Sequence, residues 1–289
     1  MKFGLAFVNT GMGSTAAGAR DLAQRAEAAG FESLWTVEHV VVPSGYGSKY
    51  PYDPSGKMAG GAEAFDLPDP LIWLAFVAAC TERIKLATGI LILPQRNPLI
   101  TAKEIASVDA LSGGRVVLGV GVGWLEEEFD AIGVPFADRG RRHDDYVEAM
   151  RALWQQDKAS VHNTYASFDN CISLPSPTNG TVPIVVGGHT KKAAQRAARL
   201  GDGFFPGNSS IEDMTALFDV MRAECAANGR DPAEIELSAG GGGRTLDEIS
   251  ARVESLRQLG VARVLLPPLP GERLNALADG LRERFGMDV

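Results

Sequence analysis

IKLATGILILP (84–94), PLITAKEIASVDALSGG (98–114) and RVVLGVGVGW (115–124) follow one another almost without a break, and their reading decides the fold. The first and third are apolar runs of strand length. The second keeps apolar residues at Leu99, Ala102, Ile105, Ala106, Val108 and Ala110, a near-helical spacing, and stops at Gly113-Gly114. Strand, helix and strand in that order make a crossover unit, and crossover units imply a parallel sheet.

The second of these strands carries Leu118, Val120 and Val122 on one face and Gly119, Gly121 and Gly123 on the other. Glycine inside a strand leaves nothing to pack, so three on one face call for close approach by something else. Two occupants fit: the protein's own crowded interior, or a planar ligand lying on bare backbone.

Outward from this unit the same rhythm repeats. Strands are expected at Lys2–Val8, Ser33–Glu38, Val182–Val186, Gly203–Pro206, Glu234–Ala239 and Arg263–Pro267, each followed by a helical pattern. With the two strands above, that makes eight strand–helix units in alternation, which points to a single (β/α)8 TIM barrel over residues 1–289. Two interruptions stand out. A Gly/Pro/Ser/Tyr-rich stretch at 40–68 follows strand two, too long for an ordinary connection and of the kind used as a lid or binding loop. A small hairpin is expected at 157–177, before strand five.

A composition 45% apolar and 22% charged is that of a globular chain with a large core. The formal charge of −8, with no basic stripe, argues against a nucleic-acid partner. No apolar run approaches the roughly 20 residues of a membrane span. The start, MKFGLAFVN, reads as a buried strand rather than a signal peptide. Cys80, Cys171 and Cys225, odd in number and far apart, suit a reducing cytoplasm.

In barrels of this kind chemistry sits at the C-terminal ends of the strands. That rule selects Asn9, the pair Glu38-His39, the turn Thr88 to Pro94, Gly121 to Trp124, Gly187 to Thr190 and Gly207-Asn208. Histidine exchanges protons near neutral pH, so His39 is a candidate for proton transfer or cofactor contact, against the plainer role of a hydrogen-bonded rim residue. Its neighbour Glu38 points to the other face of the strand. Gly187-Gly188-His189-Thr190 joins a strand to a helix. Such a turn either caps the helix or cradles an anion, each favourable charge there contributing about 0.3–1 kcal/mol. His143 and Asp144-Asp145 read as a solvated or interface face of a helix, and His162 falls in the hairpin. No zinc spacing, EF-hand, Walker pattern or GxSxG elbow occurs. GVGVGW lacks the third glycine of a dinucleotide fingerprint, and neither Lys85 nor Lys103 lies at a strand's C-terminal end.

Taken together, AEAAGFESLWTVEH (26–39), the block at 87–133, RGRRHDDYVEAMRALW (139–154), PIVVGGH (183–189) and LGDGFFP (200–206) make the whole chain resemble the luciferase-like monooxygenase superfamily. The likeness is greatest to its coenzyme F420-dependent oxidoreductase branch. The resemblance implies hydride transfer between the deazaflavin C5 and a small organic substrate. Glu38 and His39 would face the ring, with His39 as proton donor or acceptor. Gly89-Ile90 would form a strand-three bulge with a non-proline cis peptide behind the ring. Gly121, Val122, Gly123 and Trp124 would wall the cleft, and Gly187 and Gly188, with His189 beside them, would hold the cofactor phosphate. The resemblance also implies a homodimer. Two departures bear on substrate. Sugar-phosphate dehydrogenase members carry glutamate where this chain has Trp124, and a tryptophan shortly after the histidine, where it reads Val40 to Gly45. Trp124 favours an apolar or planar substrate. The alternatives are an FMN-dependent monooxygenase of the same superfamily and a non-catalytic cofactor-binding barrel; a lysine-based aldolase is a more distant third.

Overall fold

The computed structural model describes residues 1–207 and 209–287; the expected Asn208 position lies outside them. The chain runs β1 Lys2–Ala6, α1 Ala16–Ala28, β2 Ser33–Thr36, α2 Pro70–Ala78, β3 Lys85–Thr88, β4 Leu91–Ile92, α3 Pro98–Ser112, β5 Val116–Gly121, α4 Glu126–Ala131 and α5 Arg139–Gln155. It continues β6 Ala159–His162, β7 Ser167–Cys171, β8 Ile184–Gly187, α6 Lys191–Leu200, β9 Gly203–Phe205, α7 Ile211–Ala227, β10 Glu236–Gly240, α8 Leu246–Gln258, β11 Arg263–Leu266 and α9 Glu272–Phe285.

From β2 the parallel ladder passes through β1, β11, β10, β9 and β8 to β5. β5 meets β3 at its base, Val116 opposite Leu86, and β4 higher up, Val120 opposite Leu91. β3 and β4 are therefore two halves of one barrel strand, and with β2 paired to β3 the ring closes as an eight-stranded (β/α)8 barrel. The break falls at Gly89-Ile90, whose peptide bond is cis. The antiparallel β6–β7 hairpin, Val161 opposite Phe168, stands before β8 as expected.

Two strands stop two residues earlier than their apolar patterns imply: β1 ends at Ala6 rather than Val8, and β2 at Thr36 rather than Glu38. There the buried Asn9 side chain takes over from the strand ladder. Its Oδ1 accepts the Val37 N–H at 2.9 Å and its Nδ2 donates to the Val37 carbonyl at 2.8 Å. The helices begin where short polar side chains satisfy first-turn amides. Asp69 caps α2 and Asn97 caps α3, each followed by proline, and such a cap contributes about 1 kcal/mol. α3 buries Ala102, Ile105, Ala106 and Val108 as expected, but Ala110 faces solvent.

The main core lies between barrel and helices. A second core fills the barrel: Ala6, Trp35, Ala87, Val117, Val185 and Leu265. Below it, Arg263 lies 5.4 Å from the Trp35 ring and pairs with Glu32 at 2.9 Å and Glu236 at 2.5 Å, so the N-terminal end of the barrel is filled. No helix among the described residues is long and apolar enough to cross a membrane, and the three cysteines are free thiols.

Candidate active site

Past the last rung of β2 the chain turns out over the mouth, and His39 comes to rest beside α4. Its Nδ1 lies 2.8 Å from Glu128 Oε2, and the Glu128 side chain is completely buried. The other carboxylate oxygen accepts the Val40 N–H at 2.6 Å and, more weakly, the Val41 N–H at 3.4 Å. Both oxygens of this buried side chain are therefore engaged, one by the His39 ring and the other by backbone amides. His39 Nε2 has no hydrogen-bond partner among the described residues, and the side chain is 12% exposed. The His39 ring also stands edge-on to Trp124, centroids 5.8 Å apart.

Glu38 turns the other way. Its Oε2 accepts the Ile92 N–H at 2.5 Å and its Oε1 the Arg96 Nε–H at 2.8 Å, with Arg96 bound in turn to Asp69 at 2.7 Å. Burial pushes the Glu38 carboxyl up, against the pull of Arg96 and the Ile92 amide. Through this contact Glu38 ties the upper half of the broken strand to β2, and its carboxylate has no contact with His39.

The glycine face of β5 is filled by the protein itself. A Cβ at Gly119 would come within 1.8 Å of the Thr88 carbonyl oxygen, and one at Gly121 within 2.4 Å of Ile90 Cδ1. Gly123, at φ +78°, lies against Phe129 and Ile92, where a Cβ would sit 2.7–2.8 Å from their side chains. From the next strand, a Cβ at Gly187 would strike Ile90 Cγ2 at 2.5 Å. Gly89 passes over Trp35, and Val122 and Trp124 are half-buried on the wall. So of the two occupants the sequence allowed, the crowded interior is correct for these glycines. Apolar groups left open at the C-terminal ends of the strands are Ile90, half-buried between β3 and β4, Phe205 at the end of β9, and the 49%-exposed Phe7 just past β1. Apolar groups left open at a barrel mouth suit a flat ring.

Over the mouth lies the long loop, built on a small core of its own: Tyr46, Met58 and Leu125, with Val42, Tyr50 and Trp124 against them. Trp124 is edge-on to Tyr46 at 5.6 Å and to Tyr50 at 5.2 Å. Tyr50 meets Tyr52 at 5.5 Å, and Tyr52 meets His189 at 4.9 Å, so aromatic contacts run across the mouth from His39 to His189. Glu127 pins the loop, accepting the Gly47 N–H at 2.6 Å and the Ser48 N–H at 3.0 Å. These bonds, with the Ser48 hydroxyl foremost, hold the Glu127 carboxyl down to about 2.

Beyond Tyr52 opens a cleft of about 650 Å³ whose lining includes His189, Lys191, Ser209, Ser210 and Asp213. Gly188, at φ +129°, needs the conformational freedom of glycine. Its amide is not free, however: it donates to the Phe205 carbonyl at 3.1 Å. The amides of His189, Thr190, Lys191 and Lys192 have no partner among the described residues, and they form the N-terminal turn of α6 beside the Lys191 ammonium. Partial burial pushes the His189 imidazole down, which favours its neutral form. The Ser209 and Ser210 hydroxyls already donate to the Pro206 carbonyl and Asp213. The donor set fits a phosphate, and its open amides begin one residue after the two glycines.

Sequence reasoning missed Glu128, Glu127, Phe7 and Tyr52 as parts of this site. The run Glu126-Glu127-Glu128 directly after a barrel strand was the available signal for the first two.

A family model described as luciferase-like monooxygenase matches residues 1–262. An uncharacterized protein of Mycobacterium tuberculosis, Rv0940c, is 35% identical over 217 residues, 75% of this chain and 74% of that one. The FMNH(2)-dependent dimethylsulfone monooxygenase of Pseudomonas putida is 32% identical over 214 residues, 73% of this chain and 54% of that enzyme. The coenzyme F420-dependent tetrahydromethanopterin reductase of Methanopyrus kandleri shares the fold, with a TM-score of 0.77 at 17% identity over 98% of this chain and 97% of that one. The match from the first strand to the threshold of the last places this chain in the luciferase-like monooxygenase family of enzymes.

Proposed function

We propose that this chain is a coenzyme F420-dependent oxidoreductase that moves a hydride between C5 of the deazaflavin ring and a small apolar or planar organic substrate. F420, when bound, supplies the two-electron chemistry. Ile90, Phe7 and Phe205 offer the ring an apolar face, the first turn of α6 and Lys191 hold its phosphate, and the loop core on Trp124 keeps water from the mouth. His39 gives or takes the proton that accompanies the hydride. The observation that carries this reading is His39 itself: an imidazole held at Nδ1 by a buried carboxylate, with Nε2 unpartnered among the described residues, at the rim of the barrel mouth.

The 32%-identical FMNH(2)-dependent relative favours a second reading, an FMN-dependent monooxygenase. Anaerobic titration of the apoprotein with each cofactor, followed by a substrate screen with whichever binds, separates the two. Saturable F420 binding supports the first; submicromolar FMN binding without F420 binding overturns it.

We also propose that the chain works as a homodimer in the cytoplasm. Three free thiols support the compartment. For the dimer, α2 is apolar on every side yet leaves Ile72 71% exposed, and the adjoining α3 exposes Ile100 and Leu111. A helix apolar all round is normally covered.

A further inference from the structure

We propose that Glu128 is a positioning residue that sets the tautomer of His39 and so decides which ring nitrogen exchanges protons; this rests on the proposed proton-transfer role of His39. Among the described residues His39 is the sole ion-pair partner of Glu128. A completely buried carboxylate is expensive unless its oxygens are filled, and here both are: one by His39 Nδ1, the other by the Val40 and Val41 amides at the root of the loop. One side chain therefore fixes both the ring and the backbone that leads into the lid. With Nδ1–H committed to Glu128, proton traffic runs through Nε2. When substrate is oxidised it loses a hydride to F420 and a proton to Nε2; in reduction both return. The proton on Nδ1 stays in place and Glu128 keeps its charge.

The Val40 amide makes this specific. In Glu128→Gln the single carbonyl oxygen is claimed by Val40 N–H, so the amide NH2 faces His39. Nδ1 must then accept, and the ring proton moves to Nε2. Long-range proton–nitrogen correlation spectra of the apoprotein in alkaline buffer read the tautomer directly, without any cofactor. The expected result is Nδ1–H in the wild type and Nε2–H in Glu128→Gln. The same tautomer in both overturns the proposal, as does Nε2–H in the wild type, which needs no variant to fold. In turnover with whichever cofactor binds, Glu128→Gln should lower kcat roughly 100-fold with KM within about twofold, since a general acid–base group contributes about 10²–10⁴. Glu128→Asp, which keeps an acceptor, should recover most of that loss; equal losses in Gln and Asp overturn the tautomer account. If F420 fails to bind, the spectra still decide the dyad, so the two failures are told apart.

Discussion

Replacing Trp124 by alanine removes the ring on which the long loop is built. Trp124 makes two edge-on contacts with loop residues, Tyr46 at 5.6 Å and Tyr50 at 5.2 Å. Each such pair contributes about 0.5–1.5 kcal/mol beyond its buried area, so the two together hold the loop by about 1–3 kcal/mol. That energy acts on the loop and not on the barrel, because Tyr46, Met58 and Leu125 form a core separate from the main one. The loss should therefore appear as local opening. Hydrogen exchange reads it at Gly47 and Ser48, bonded to Glu127, and at Tyr50, whose amide donates to the Gly56 carbonyl at 2.9 Å. In Trp124→Ala these amides should exchange about 5- to 150-fold faster, the equivalent of 1–3 kcal/mol, while amides of β1 and β5 keep their wild-type rates. Trp124→Phe should fall between the two. Unchanged exchange at Gly47, Ser48 and Tyr50 in Trp124→Ala would refute the claim that Trp124 carries the loop.

Acid should release the same loop by another route. The Glu127 carboxyl is depressed from 4.5 to about 2 in the folded protein, so its hold on Gly47 and Ser48 is complete above pH 4.5 and is lost as pH falls towards 2. Exchange at those two amides, corrected for intrinsic rates, should accelerate over that window in the wild type and show no such step in Glu127→Gln. Glu38→Ala leaves Arg96 with Asp69 and Glu104 only, and should cost about 3 kcal/mol in urea unfolding, the low end for breaking a buried pair; a loss of activity with unchanged stability would instead make Glu38 a ring contact. Ile72→Glu puts a charge on the exposed apolar face of α2 and should turn a dimer into a monomer in sedimentation velocity; a wild type that sediments as a monomer removes the dimer proposal.

How much of this was legible in the sequence depends on whether a signal was local. The eight strand–helix units were, because Asp69-Pro70 and Asn97-Pro98 announce helix starts and Gly113 a helix end within a few residues. The long loop and the hairpin announced themselves by composition and by a break in rhythm. The division of strand three was not legible from its apolar run: β3 and β4 pair with different parts of β5, and pairing is a property of two strands at once. Strand alternation did turn Glu38 away from His39, but did not reveal its partner Arg96, 58 residues on. The triple glycine of β5 correctly signalled close approach, yet only the neighbouring strand shows that Ile90 is what approaches Gly121. Glu128 stayed hidden for a similar reason, since a carboxylate run at the start of a helix looks like ordinary dipole pairing until His39 is seen 2.8 Å away.

The central claim is that a flat redox ring rests on Ile90 at the open end of the barrel. It is tested most directly by titrating the wild type and Ile90→Asp with F420 under anaerobic conditions, following cofactor absorbance. The account predicts saturable binding to the wild type and a loss of at least tenfold in affinity in Ile90→Asp, measured at a temperature where circular dichroism shows both proteins folded. Equal affinity in the two proteins, or no F420 binding by the wild type, would contradict it.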